Sequence, residues 1–171
     1  MSEIVIIKTS EGDITLELNA EKAPKTVDNF LKYVDSEFYN QTIFHRVIND
    51  FMIQGGGYQQ GLIEKETRAP IENEANNGLS NMAYTIAMAR TSEPHSASAQ
   101  FFINVVDNKF LDYKSSDPEG FGYCVFGRVV TGTEVVDKIK LEPTETVGFN
   151  ADVPIKEIII ESISREGTTS K

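Results

Sequence analysis

The sequence predicts a mainly β fold, a closed eight-stranded antiparallel barrel capped by two α-helices. Three observations support this prediction. The chain of 171 residues fits one domain, it contains eight β-type stretches and two helical ones, and no regular helices separate the β-type stretches. A parallel sheet with crossover helices is therefore disfavoured, whereas antiparallel strands can close into a barrel filled by side chains.

The first elements are a hairpin and a helix. Residues 4–8 and 14–18 are β-branched or alternating and flank the turn-rich tetrad 10–13, which predicts two strands joined by a turn. Pro24 suits the first turn of a helix, where its missing N–H costs nothing. One apolar stripe at helical spacing follows, formed by Val27, Phe30, Leu31 and Val34.

The later elements are mostly strands. They are predicted over residues 43–48, 51–54, 84–89, 101–105, 123–129 and 155–163. A second helix is predicted over residues 134–140, with Thr133 as its N-cap and Val135, Val136 and Ile139 facing inward. Residues 59–81 show no strong periodicity, and such a long loop is usually functional. We expect one domain over residues 1–164 and a loose polar tail over 165–171.

Composition excludes several classes of protein. The net charge of −10 argues against nonspecific nucleic-acid binding, which requires basic stripes. No membrane span is expected, because the longest apolar run has four residues and a spanning helix needs about 20. The single cysteine, Cys124, excludes an internal disulfide framework and fits a reducing compartment. The first residues lack the basic and apolar regions of a secretory signal, so none is expected.

The sequence lacks the familiar motifs of reactive sites. It contains no G-x-S-x-G elbow, no phosphate-binding loop and no H-E-x-x-H motif. His45 and His95 are 50 residues apart with no carboxylate at ligand spacing, so no metal site is expected. We interpret His45 as a packed structural histidine and Cys124 as an inert small hydrophobe.

Two strands instead carry polar residues among apolar ones. In residues 44–57, strand alternation places Arg46 on one face with two apolar side chains. A buried unpaired charge would be very costly, so the Arg46 side chain must reach solvent, a carboxylate or a ligand. The glycine triplet 55–57 permits positive φ or close backbone approach. In residues 100–105, one face looks like core and the other resembles a peptide-binding wall, formed by Gln100, Phe102 and Asn104.

These stretches resemble the signature blocks of the cyclophilin family. Residues 44–56 are similar to the pattern F-H-R-V-I-x-x-F-M-x-Q-G-G, and residues 97–103 to a second block that ends in Q-F-F-I. The similarity spans residues 4–163 and includes shorter motifs at 87–89, 110–112 and 125–127. Residues 73–78 and 87–91 resemble the bacterial branch, including its cytoplasmic members, so a cytoplasmic location is expected.

The resemblance implies a peptidyl-prolyl cis-trans isomerase that needs no metal or cofactor and has its pocket on the outer barrel surface. Its implied partners are proline-containing peptides and unfolded or folding proteins, and a monomer is expected. Arg46, Phe51 and Gln54 would be catalytic. The implied substrate-binding residues are Met52, Ala89, Arg90, Thr91, Gln100, Phe102, Phe110, Leu111 and Tyr123.

Three positions depart from the form common in eukaryotic cyclophilins. Phe110 stands in place of Trp, Tyr123 in place of His and Arg90 in place of Asn. The family binds cyclosporin, a cyclic peptide, and the loss of the indole N–H at Phe110 predicts a weakened affinity for it. The family role of Arg90 is mainly that of its backbone, so its side chain is expected to matter less.

Two other functions are compatible with parts of this sequence. A proline-peptide binding module or holdase would use the same pocket without turnover, but it has less need of a charge at Arg46. A barrel that carries a small apolar ligand inside, as lipocalins do, would need an empty interior, but Phe101, Ile103 and Val105 are bulky enough to fill it.

Overall fold

A computed structural model describes residues 3–166 of the chain. The helices are α1 (Pro24–Asp35) and α2 (Thr133–Lys140). Seven strands precede residue 70: β1 (Glu3–Thr9), β2 (Gly12–Leu18), β3 (Thr42–Ile43), β4 (Arg46–Ile48), β5 (Met52–Gly55), β6 (Tyr58–Gln59) and β7 (Ile63–Glu64). Six follow it: β8 (Thr85–Met88), β9 (Phe101–Asn104), β10 (Val125–Thr131), β11 (Thr144–Val147), β12 (Asn150–Pro154) and β13 (Ile159–Arg165).

Eleven of these strands form one antiparallel sheet. Their order is β4-β5-β9-β8-β10-β2-β1-β13-β3-β6-β7, while β11 and β12 pair separately. Strands β3 and β4 are far apart in this order, yet only Phe44 and His45 separate them in the chain. The sheet must therefore curl to bring these two strands together. This architecture confirms the mainly β fold with two helices.

The strands differ in number and bounds from those predicted. The predicted strand 43–48 is broken at Phe44 and His45, because β3 pairs with β13 and β6 while β4 pairs with β5. The predicted strand 155–163 starts only at Ile159, and its first residues follow β12. Four two- to five-residue strands, β6, β7, β11 and β12, lie in segments that lack an alternating pattern. Closure of the sheet into eight strands stays a prediction.

Helix α1 covers one end of the core. Its predicted stripe is buried, and Pro24 stands at its start as expected. The ring of Phe30 has no exposed surface, and its centroid lies 5.2–5.8 Å from those of Tyr39, Phe101 and Phe126. The inward faces of the strands, including Ile103 and Val105, complete this cluster. The interior is therefore packed with side chains, as the sequence predicted.

Helix α2 begins one residue earlier than predicted. Thr133 is its first residue, and the N-cap is Gly132 rather than Thr133. Gly132 has φ of +100°, and a Cβ at this position would lie 2.5 Å from the carbonyl oxygen of Asp13. Only glycine fits this turn, which explains why the cap lacks a hydroxyl side chain. Val135, Val136 and Ile139 are buried as predicted.

The chain end was predicted to be a loose tail over 165–171. Arg165 instead belongs to β13, and its guanidinium makes ion pairs with Asp35 at 2.8 Å and Glu3 at 3.5 Å. Glu166 follows in a turn, and residues 167–171 lie outside the described residues. Within residues 3–166, neither helix is long and apolar enough to cross a membrane.

Candidate functional site

A shallow groove lies across four neighbouring strands, β4, β5, β9 and β8. The register places Arg46 opposite Gln54, Gln54 opposite Phe102, and Phe102 opposite Ala87. Residues paired directly across antiparallel strands point to the same face of a sheet. The register therefore brings together side chains from the two sequence blocks, which are about 50 residues apart.

The groove contains a small open pocket of about 130 Å³. Nine of the twelve predicted site residues line it: Arg46, Phe51, Met52, Gln54, Ala89, Arg90, Phe102, Leu111 and Tyr123. Met52, Phe102 and Leu111 are buried and belong to a second apolar cluster that also contains Ala87 and Val125. The pocket therefore combines a rigid apolar floor with a polar wall.

Arg46 provides the positive charge of the polar wall. Its Nη1 donates a hydrogen bond to Gln54 Oε1 at 3.2 Å, and Gln54 Nε2 donates to Gln100 Oε1 at 2.9 Å. Among residues 3–166, no carboxylate forms an ion pair with Arg46. Gln100 does not line the pocket directly but supports Gln54 from behind.

The side chain of Gln100 packs directly against the backbone of Gly57. A Cβ on Gly57 would overlap the side-chain atoms of Gln100. The glycine triplet singled out in the sequence therefore serves this contact, and Gly56 has a positive φ of +91° beside it. A larger residue at Gly57 would displace the amide that orients Gln54.

Aromatic side chains form the rim and one wall. Phe51 and Phe110 are stacked, with centroids 5.9 Å apart and planes 24° apart. Phe110 is 64% exposed, so it lies at the edge of the pocket and does not line it. Phe102 meets Tyr123 edge-to-face at 5.8 Å. The rim therefore offers an apolar surface to a ligand larger than a proline ring.

Arg90 and Thr91 follow the end of β8. The Arg90 guanidinium lies over the ring of Tyr123, 4.7 Å from its centroid. Thr91 does not line the pocket, and its N–H and hydroxyl are bonded to Ser96 Oγ at 2.9 and 2.8 Å. Arg90 lines the pocket, and the expectation that its side chain matters less than its backbone stays a prediction.

A buried polar network behind the pocket was missed from the sequence. Asn104 Nδ2 donates to Asn81 Oδ1 and Thr85 Oγ1, both at 3.0 Å, while Asn108 Nδ2 donates to Asn104 Oδ1 and to the Phe51 carbonyl, both at 2.8 Å. Asn104 shares its sheet face with Phe102, as predicted, but it is fully buried and does not line the pocket. The network links Phe51 to strand β9.

Asp112 extends this network to the other side of the pocket. It accepts hydrogen bonds from Ser80 Oγ at 2.5 Å and from the backbone N–H of Asn81 at 2.7 Å. Burial raises the pKa of this carboxyl, but these bonds and the charge of Lys114 outweigh burial and hold the pKa below its usual value. Asp112 therefore stays charged and holds the backbone next to Leu111. In the sequence, the asparagines close to the predicted strands 84–89 and 101–105 were the signal that could have revealed this buried network.

His45 and Cys124 have the structural roles predicted for them. His45 is buried, and its ring packs on Tyr58 with centroids 4.4 Å apart. Burial, followed by the neighbouring charge of Arg46, lowers the pKa of His45 to about 4. Cys124 is buried, and burial raises the pKa of its thiol to about 11. Within the described residues, no group of three His, Cys, Asp or Glu side chains is arranged to hold a metal.

A larger open cavity of about 420 Å³ lies elsewhere and is lined by residues of β2, β10 and the segments next to them. Its lining includes Leu18, Leu79, Val125 and the ion pair of Glu17 with Arg128, but none of the predicted site residues. Size alone therefore does not identify the functional site, and the chemistry favours the smaller pocket.

Comparison with known proteins agrees with this site. The family model described as "Cyclophilin type peptidyl-prolyl cis-trans isomerase/CLD" matches residues 4–165. Peptidyl-prolyl cis-trans isomerase B of Escherichia coli is 56% identical over 161 residues, which cover 94% of this chain and 98% of that protein. Peptidyl-prolyl cis-trans isomerase cyp18 of Streptomyces antibioticus is 59% identical over 158 residues, covering 92% and 95%.

Solved structures show the same fold. A cyclophilin type peptidyl-prolyl cis-trans isomerase of Cryptosporidium parvum has a TM-score of 0.79 and 28% identity, with 96% of this chain and 98% of that chain covered. A second crystal structure of that protein, determined in the presence of the dipeptide Ala-Pro, has a TM-score of 0.77 and 28% identity, with coverage of 95% and 98%.

Proposed function

The chain belongs to the cyclophilin-type peptidyl-prolyl cis-trans isomerase family and is such an isomerase, and we propose that Arg46 carries its catalysis by stabilising the twisted X–Pro bond. One observation supports this role above all others. Arg46 places a permanent charge beside an apolar pocket, its hydrogen-bond partner is the neutral Gln54, and no carboxylate of residues 3–166 pairs with it.

The reaction requires rotation about an amide and breaks no bond. Loss of amide resonance sets a barrier of about 18–20 kcal/mol, and uncatalysed X–Pro exchange proceeds at roughly 0.01 per second. A turnover of about 1000 per second would lower the barrier by about 7 kcal/mol. Neither a nucleophile nor an acid–base pair is required, so a site without them is compatible with the activity.

Arg46 acts where the electronic structure changes. In the twisted transition state the prolyl nitrogen loses conjugation, and its lone pair becomes a hydrogen-bond acceptor. A guanidinium beside it binds this state more tightly than either planar ground state, which is the condition for catalysis. Arginine suits the role because it keeps its charge in a partly apolar site.

The other pocket residues hold the substrate while one side of the bond rotates. We propose that Phe51, Met52, Phe102 and Leu111 grip the proline ring. Gln54, supported by Gln100, would hold the flanking peptide together with the segment from Ala89 to Thr91, while Phe110 and Tyr123 cover its edges. The buried floor and the hydrogen bonds from Arg46 to Gln100 support this division of roles.

An exchange assay tests the function directly. Either a protease-coupled assay or NMR exchange spectroscopy on an X–Pro peptide should show rates far above the uncatalysed value of about 0.01 per second. Saturable peptide binding without faster exchange would instead favour the binding module or holdase.

We propose that the protein works as a monomer in the cytoplasm on proline-containing segments of unfolded or folding proteins. The buried, unpaired thiol of Cys124 fits a reducing compartment. The related crystal structure determined with Ala-Pro supports a short proline peptide as ligand, and the net charge of −10 argues against nucleic acid. Light scattering of the purified protein would measure its oligomeric state.

We also propose that the curled sheet closes into the eight-stranded barrel. A hydrogen bond of 3.4 Å from the Gly56 N–H to the Ile43 carbonyl supports closure, because it joins the end of β5 to β3. Closure would remove two unpaired strand edges and stiffen the wall that carries Arg46 and Gln54.

The rate of isomerisation should be nearly independent of pH between about 6 and 8, because no side chain is proposed to donate or accept a proton. The pKa of His45, about 4, and that of Cys124, about 11, both lie outside this window. The measurement is kcat/KM for one X–Pro peptide by NMR exchange across the range. A bell-shaped profile centred there would contradict the mechanism and implicate a titrating group.

Cyclosporin should bind about 10- to 100-fold more weakly than to a member with Trp at position 110. A ligand acceptor that pairs with the indole N–H would be desolvated without a donor, because Phe110 has none. Phe110 is 64% exposed, so the larger Trp ring has space. We expect Phe110→Trp to tighten cyclosporin binding by this factor.

The chain contains no Trp, so the fluorescence of the introduced indole can follow the titration. Phe149→Trp is a matched control, because Phe149 is fully exposed at the turn between β11 and β12 and does not line the pocket. Cyclosporin affinity should not change in this control, measured by calorimetry. Unchanged affinity in Phe110→Trp would shift the cause to Tyr123 or to the loop over residues 114–120, which resembles the longer form of this loop in the family.

A further inference from the structure

The side chain of Arg90 is bonded to neutral groups alone. Nε donates to the Gly122 carbonyl at 2.8 Å, Nη1 to the Thr91 carbonyl at 2.8 Å and Nη2 to the Pro118 carbonyl at 3.2 Å. These bonds fix the guanidinium over the ring of Tyr123. Carbonyl groups satisfy hydrogen-bond donors but leave the charge in place. A guanidinium has five N–H donors, so two remain for a ligand.

The groove is a local exception to the charge of the chain. Its nine lining residues include two arginines, Arg46 and Arg90, and no acid, although the net charge is −10. Asp117 and Glu119 flank Pro118 in the chain and Glu93 follows Thr91, yet within residues 3–166 none of these exposed carboxylates makes an ion pair with Arg90. A bound peptide would therefore meet two arginine side chains that no carboxylate of residues 3–166 pairs with directly.

The two arginines lie on opposite sides of the apolar floor. Arg46, Gln54, Phe102 and Ala87 occupy successive strands in register, and Arg90 follows Ala87 by three residues. Three strand spacings of about 4.8 Å give about 14 Å between the backbones of Arg46 and Ala87. A proline ring on the floor would fill the centre, and the residue next to it would lie beside Arg90.

We infer that Arg90 determines specificity and favours substrates with Asp or Glu next to the proline. This inference rests on the proposed function of the same pocket. A carboxylate there would accept charge-assisted hydrogen bonds from the two free N–H groups of Arg90. The bonds to three carbonyls prearrange the guanidinium, so little side-chain entropy is lost on binding. A Lys next to the proline would be repelled.

Matched peptides measure this preference. Two series, Ala-Xaa-Pro-Phe and Ala-Pro-Xaa-Phe, carry Glu, Gln or Lys at Xaa, and kcat/KM is determined by NMR exchange. In at least one of the two series, kcat/KM of the Glu peptide should exceed that of the Gln peptide by about 3- to 10-fold at 0.05 M salt. In the same series, kcat/KM of the Lys peptide should fall below that of the Gln peptide. The Glu-to-Gln ratio should shrink at 0.5 M salt, because the screening length falls well below 10 Å.

Variants assign the preference to one side chain. Arg90→Gln keeps amide donors but removes the charge, so the Glu-to-Gln ratio should fall to about one, whatever happens to the absolute rates. Arg90→Lys keeps the charge and should retain most of the ratio. Arg128→Gln is the control, since Arg128 lies outside the pocket and pairs with Glu17 at 2.8 Å. Its Glu-to-Gln ratio should equal that of the wild type.

The outcomes separate this inference from the function on which it rests. Wild-type turnover of the Gln peptides with a Glu-to-Gln ratio near one in both series would overturn the role of Arg90 and leave the isomerase intact. A preference that survives in Arg90→Gln would also overturn it and assign the effect to Arg46. Failure to accelerate any X–Pro peptide would refute the proposed function itself.

Discussion

Arg46→Ala is expected to lower kcat/KM for X–Pro isomerisation about 30- to 1000-fold, while the fold survives. The substitution removes a charge-assisted hydrogen bond that forms mainly in the transition state, which is worth about 2–4 kcal/mol. Arg46 is half-buried in the three-residue strand β4, and within residues 3–166 its side chain forms a hydrogen bond to Gln54 alone. Its loss therefore leaves no buried charge unpaired.

The matched variant is Arg46→Lys, which keeps the charge but loses the planar fork of donors. We expect its activity to lie between those of the wild type and Arg46→Ala. Circular dichroism and urea unfolding check that all three proteins are folded, and peptide binding by NMR separates a loss of binding from a loss of turnover. Near wild-type turnover in folded Arg46→Ala would refute the mechanism.

Acid should destabilise the protein through His45 by about 3 kcal/mol between pH 6.5 and 4. Burial, with the nearby charge of Arg46, lowers the pKa of His45 from 6.5 to about 4. The unfolded chain therefore binds this proton more readily than the folded one. The stabilising contribution is complete above pH 6.5, falls as the pH drops through this window and is lost once the pH passes below the folded pKa.

Urea unfolding at several pH values in this window measures the effect. His45→Gln should show a smaller loss of unfolding free energy on acidification than the wild type. His45→Phe keeps an aromatic ring against Tyr58, so it separates the titration from the packing. The slope of the unfolding free energy with pH is compared rather than its absolute value, because carboxylates elsewhere in the chain also titrate. Equal slopes in all three proteins would show that His45 is not the group responsible.

The residues of the pocket were largely predictable, because five of the nine lie in two contiguous blocks and the family resemblance supplied the other four. Strand alternation and the family resemblance placed Arg46, Gln54 and Phe102 in the site, and all three line the pocket. The fixed position of the Arg90 side chain could not be predicted, because two of the carbonyls that hold it belong to Gly122 and Pro118, about 30 residues away. Such contacts leave no local pattern in the sequence.

The buried network was hidden for a related reason. Asn104 alternates with the core residues of its strand, so periodicity groups it with Gln100 and Phe102 on the predicted peptide-binding wall. Its burial depends on Asn81 and Asn108, which satisfy its amide from other segments. A polar side chain can be buried when partners meet all its hydrogen bonds, and only the folded chain brings those partners together.

The sequence by itself determined the class of fold, the two helices, the packed core and the catalytic candidates, because these depend on local periodicity and on motifs. The tertiary structure decided where strands 43–48 and 155–163 break, where Gly132 caps a helix, and which charges remain uncompensated around Arg46 and Arg90. These features depend on pairing between distant segments. The stability of a strand, a helix cap or a charged side chain depends on neighbouring residues that come into contact with it only when the chain folds.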